Sequence, residues 1–106
     1  MPGHLNINDP KTLIGRTIIV GMTYLDQKGE IERQVQHFGT ITDIVGNDMT
    51  IEGPDGKVLH TPYDVRALSV AAKGTYRLRQ TQEEIENPDL LATWTIEPKA
   101  PSSAVH

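Results

Sequence analysis

The chain has 106 residues, and 14 acidic against 10 basic side chains give it a net charge of −4. That length suits one domain and leaves too little chain for two, while 37% hydrophobic and 23% charged residues exclude wholesale disorder. Cysteine is absent, which excludes disulfides and thiolate metal sites, and no run approaches the roughly 18 apolar residues of a membrane-spanning helix.

The first residues lack the basic start and apolar stretch of a secretion signal. The absence of cysteine suits a reducing cytoplasm; a bacterial source is expected, and the chain is expected to act without a membrane. A negative chain is repelled by nucleic acid and by anionic lipid. The charge is uneven, however. Residues 64–79 hold Arg66, Lys73, Arg77 and Arg79 against one acid, and residues 83–97 hold five acids and no base.

Residues 1–12 are broken by Pro2, Gly3, Asn6, Asn8, Asp9 and Pro10 and read as a flexible tail. Residues 17–25 then alternate. Ile18, Val20, Met22 and Tyr24 fall on one face, and Ile19, Gly21 and Thr23 on the other, which is the period of a strand. Asp26-Gln27-Lys28-Gly29 reads as a turn. Residues 31–45 form a longer extended segment in which Ile31, Arg33, Val35 and His37 keep one parity that Phe38, Ile41 and Ile44 break. The break centres on Gly39, where a bulge or bend is expected. Gly46-Asn47-Asp48 is the next turn, and 49–52 a short strand.

Gly53-Pro54-Asp55-Gly56 is the strongest local signal. Proline presets the first turn position, aspartate suits the second, and glycine takes the left-handed one. A tight hairpin into 57–61 is predicted. Pro62-Tyr63-Asp64 interrupts the strands as one 3₁₀ turn, and 67–71 resume extension. A further strand begins at Gly74, with Tyr76 and Leu78 on one face and Thr75, Arg77 and Arg79 on the other. Residues 80–91 are polar and acidic and are cut by Asn87-Pro88, so they predict a turn or a short helix. A last strand, 92–96, centres on Trp94. Residues 97–106, with two prolines and two serines, read as a second flexible tail.

Five or more short strands with turn signals about every ten residues predict a mostly-β domain closed as a small barrel. The order is a strand, a long bent strand, a short strand, the Pro54-Asp55-Gly56 hairpin and another strand. A one-turn element at Pro62-Tyr63-Asp64-Val65 then precedes a final strand. This order resembles the SH3-like barrels over residues 13–71. The resemblance implies a barrel of about five strands in a single domain at 13–96, with 74–96 as a C-terminal β extension. It is a likeness of architecture and implies no particular function. An OB-type barrel or an open sheet is the alternative.

Candidate chemistry starts with four histidines: His4, His37, His60 and His106. His37 and His60 fall on different strands, and with Asp43 or Asp64 they would make a metal triad. That is the basis for reading a small enzyme or metal-binding domain. Nucleophiles are sparse: serine occurs only at Ser69, Ser102 and Ser103, and no G-x-S-x-G turn is present. No phosphate-cradling glycine motif is found, and no cofactor is expected. Glu83, Glu84, Glu86 and Asp89 read as a solvated turn, or as an acidic surface that would steer a basic partner.

Tyr63 is expected to pack at the barrel end, with Asp64 capping the turn. A nucleic-acid-binding Sm-like or SH3-like barrel would need Arg66, Lys73, Arg77 and Arg79 on one face with Tyr63 or Tyr76, but strand parity sets Arg77 and Arg79 opposite Tyr76. The aromatic, acidic loop of polyproline-binding SH3 domains is missing. Trp94 is expected to pin the C-terminal extension. The leading expectation is a non-catalytic interaction module for a protein partner, with Tyr63, Arg66, Arg77, Arg79 and Trp94 as candidate contacts. A homodimer through edge strands is also open.

Overall fold

A computed structural model describes residues 5–98 of the chain. Residues 1–4 and 99–106 lie outside the described residues, and with them His4, Ser102, Ser103, His106, the start of the first expected tail and most of the second.

Strand β1, Thr17–Leu25, is apolar on both parities at its start, and Ile18, Ile19 and Val20 are all buried. A strand of that kind needs cover on both faces and a partner on each edge. β2, Ile31–Val45, supplies one edge. It runs antiparallel to β1, with Tyr24 opposite Arg33 and Thr17 opposite Thr40. On its other side β2 takes β3, Asp48–Glu52, only from Thr40 onward. β4, Val58–Pro62, then pairs antiparallel with β3. β5 is Leu68–Val70, β6 Thr75–Arg77, β7 Glu84–Glu86 and β8 Leu90–Ile96.

β8 supplies the second edge of β1. It runs parallel to β1, with Ile18 opposite Leu90 and Met22 opposite Trp94. Asp89 fixes this register, because its Oδ2 accepts from the Thr17 N–H at 2.9 Å and the Thr17 hydroxyl at 3.1 Å, while its own N–H donates to Thr17 Oγ1. β5 completes a six-stranded sheet in the order β4-β3-β2-β1-β8-β5, and β6 with β7 makes a separate two-stranded sheet.

The meander from β1 to β4 follows the order read from the sequence, and the domain is mostly β. The sheet does not close into a barrel, because β4 and β5 stand at opposite edges. The open sheet, the alternative at the sequence level, is what forms. Nor is β8 an appendage outside the sheet: Leu90, Ala92 and Trp94 share the parity of Ile18, Val20 and Met22, so β8 lies beside β1 as an inner strand. The strand that begins at Gly74 pairs with β7, where Tyr76 sits opposite Ile85. Residues 80–91 hold no helix; Gln82 and Asn87 both take positive φ, at 61° and 50°, which interrupts a right-handed turn. No helix among the described residues is long and apolar enough to cross a membrane.

Two local readings also change. Gly39 is not a bulge, since β2 pairs through it with Ile18, and the register shift falls between Ile41 and Asp43 instead. Pro62 still belongs to β4, and the turn comes later, where the Ala67 N–H donates to the Asp64 carbonyl at 3.0 Å. Gly56 does take the left-handed conformation, at φ +82°. Residues 5–12, read from sequence as tail, carry a 3₁₀ turn at Pro10–Thr12 capped by Asp9, and Leu5 and Ile7 pack on the core.

The core has two parts, one on each face of β1. On the first face Ile18, Val20 and Met22 meet Leu13, Ile41, Met49, Ile51, Leu68 and Leu90. On the second face Ile19 meets Leu78 and Ile85, with Phe38, Tyr76 and Leu91 around them. The β6–β7 hairpin covers this second face.

Gly39 is required by a close approach. A Cβ there would lie 2.6 Å from the Glu52 carbonyl oxygen and 2.6 Å from Ile51 Cγ2. The first is backbone and cannot move aside cheaply. Gly39→Ala is therefore expected to destabilise the fold by about 1–3 kcal/mol, the usual cost of overpacking, as read by urea denaturation.

Candidate functional site

The five residues singled out from the sequence do not share one surface. Tyr63 is half-buried on the first core, and its hydroxyl donates to the Ile7 carbonyl at 2.6 Å. Burial and, less strongly, the Asp9 carboxylate raise its pKa. Tyr63 thus ties residues 5–12 to the sheet. Arg66 is spent locally. Its Nε and Nη2 donate to both Asp64 oxygens at 3.0 and 2.8 Å, and its N–H donates to Oδ1 as well. Those side-chain bonds, then the backbone one, lower the Asp64 pKa to about 2.

Arg77 pairs with Glu84 across the β6–β7 hairpin at 2.8 Å. The Arg79 N–H donates to Gln36 Oε1 at 2.7 Å, and its Nη1 to Gln34 Oε1 at 3.5 Å. Both therefore belong to the layer on the second face. Trp94 lies on the opposite face, half-buried on the first core, with its Nε1 enclosed and without a hydrogen-bond partner among the described residues. The acidic cluster is divided too: Glu83, Glu84 and Glu86 are exposed, while Asp89 is committed to Thr17.

His37 and His60 are not brought together. His60 sits opposite Thr50, itself opposite Asp43, which is six residues along β2 from His37, or about 20 Å at strand spacing. The His60 Nδ1 lies 3.2 Å from Asp48 Oδ2 and 3.4 Å from Thr50 Oγ1, on an exposed surface. No group of three or more His, Cys, Asp or Glu among the described residues is placed to hold a metal ion.

The feature missed at the sequence level is a cleft of about 520 Å³ where the sheet splits. β2 has β3 beside it only from Thr40. Ahead of that point the ladder has ended, and the β3–β4 turn and residues 78–83 line the space. Phe38, Ile51, Pro54, Leu59 and Leu78 supply the apolar walls, and His37, Lys57, Thr81 and Glu83 line it with polar groups. Phe38 breaking the parity of residues 31–37 was the one signal in the sequence. Its partners come from two distant segments, residues 51–59 and 78–83, which no local pattern connects.

Comparison with known proteins finds no family model, no curated protein and no solved structure that matches the chain.

Two measurements check this geometry. Asp64 should titrate near 2 by NMR, and Arg66→Ala should return it towards the ordinary carboxylate value of about 3.9. The sign follows from a depressed pKa: the ionised form is the one favoured on folding, so its contribution is present above the ordinary range and is lost as pH falls through about 2. Trp94 should emit to the blue of free indole in water. Trp94→Ala should cost roughly 2–3 kcal/mol, below the ~3–5 of a fully enclosed ring, in thermal or urea melts.

Proposed function

We propose that the protein is a non-catalytic interaction module whose partner is another polypeptide. The observation that carries this reading is the cleft between β2, the β3–β4 hairpin and residues 78–83. Its apolar walls end in a few polar groups, the composition of a recognition site. The mode is that of a groove for peptide side chains. The nucleic-acid reading has less support, because Arg66 and Arg77 are held by Asp64 and Glu84 and the aromatic rings lie elsewhere. Within this reading, the β1–β4 meander and the turn before β5 support an SH3-like arrangement of that half of the sheet.

Panning a library of random dodecapeptides against the protein, followed by NMR shift mapping, tests the proposal. Selected peptides are expected to move the amides of residues 36–38, 57–59 and 78–83. Leu59→Ser, at a half-buried wall position, is expected to weaken them roughly tenfold, the loss of a few buried methylenes. Selected peptides that all map to other surfaces, unaffected by Leu59→Ser, would overturn it.

A further inference from the structure

We propose that the peptide is held as an added β-strand on the outer edge of β2, and that the Gln80 side chain occupies the place of that strand until it arrives. This rests on the reading of the cleft as a polypeptide site.

The backbone supplies the argument. Successive residues of a strand aim their N–H and C=O groups at opposite edges. Over Ile31 to Thr40, β2 is paired to β1 on one edge, and β3 joins the other edge only at Thr40. Among the described residues, the outer edge ahead of Thr40 therefore has no strand beside it. At Gln34 and Gln36 those outward groups are met by one side chain. Gln80 Nε2 donates to the Gln34 carbonyl, and Gln80 Oε1 accepts from the Gln36 N–H at 3.3 Å. A carboxamide carries the same donor and acceptor as a peptide group. It bridges the carbonyl of one residue and the N–H of the next but one, which is the spacing at which a neighbouring strand bonds.

The rest of the segment is anchored independently of Gln80. The Arg79 N–H is bonded to the Gln36 side chain, and Leu78 is buried with Ile19 and Ile85. Gln80 itself is exposed, so its carboxamide can leave without disturbing a core. The cleft begins at this edge, lined by Gln36, His37 and Phe38 on one side and by Leu59 on the other. An extended peptide laid along β2 would replace two side-chain hydrogen bonds by a ladder and send alternate side chains against Phe38, Leu59 and Leu78. That is strand addition with pocketed alternate residues. The occupant is accordingly an extended segment with apolar residues at every second position.

The test uses a synthetic probe, acetyl-Lys-Val-Thr-Val-Thr-Val-Lys-amide, and a copy N-methylated at the residues whose N–H groups would face β2. Wild type is expected to bind the probe weakly. Gln80→Ala, which removes the competing carboxamide, is expected to bind it about tenfold tighter, as two net hydrogen bonds of ordinary strength imply. The methylated copy should bind neither chain. Amide exchange at Gln36 should quicken in free Gln80→Ala and slow again with the probe.

Equal binding by wild type and Gln80→Ala, or by the probe and its methylated copy, would overturn strand addition. If Leu59→Ser still weakened the probe in that case, the cleft would remain a peptide site of another mode. Failure of the probe to bind either chain would overturn both. Dimerisation of Gln80→Ala through residues 34–38, seen by gel filtration with no uptake of probe, would make the occupant a second copy and overturn the peptide as the partner.

Discussion

Everything in this molecule is arranged around β1. Ile18, Ile19 and Val20 are buried in succession, which a strand tolerates only with a layer on each face. It also has a partner on each edge, antiparallel β2 and parallel β8. The first face is filled from β2, β3, β5 and the N-terminal residues, and the second by the β6–β7 hairpin. Asp89 and Thr17 bond reciprocally where β1 and β8 start, so a change there propagates to both faces at once.

The cleft is a by-product of the same arrangement. β2 is 15 residues long and is shared between two neighbours, β1 for its first part and β3 for its second. At the crossover β3 comes so close that only glycine fits at position 39. Beyond Glu52 the chain reverses in the tight turn from Gly53 to Gly56, and the cleft lined by Phe38 lies beside it. The unpaired outer edge of β2 and the cleft therefore adjoin one another. That coincidence is why the polypeptide reading attaches to this place and not to the arginines.

Local chemistry was legible in the sequence. The alternation of residues 17–25 and the left-handed Gly56 depend on neighbours in the chain, and so does the turn that Asp64 caps. What was not legible depends on contacts between distant segments. Gly39 looks like a bend because glycine is common at bulges, yet its role is to make room for the Glu52 backbone. Ile85 sits among acids and reads as surface, until β6 supplies Tyr76 opposite it. The arginines were chosen by residue type, but Arg66 and Arg77 found acids two and seven residues away. The cleft residues Phe38, Leu59 and Leu78 are ordinary apolar residues in three segments, and only the fold makes them neighbours.

The parallel β1–β8 pair sets a timetable for folding. Its anchoring hydrogen bond joins residues 72 apart in the chain. Long-range pairing of this kind is slow, since the intervening chain must be ordered before the contact returns any energy. During synthesis β1 acquires β2 early and then waits for β8. In that interval one edge of β1 is bare and its apolar face is only partly covered, the condition under which strands pair with other chains. A chain that stalls or is cut before Leu90 would be left permanently in that state. Pairing of β8 is therefore the step that removes the adhesive edge of β1.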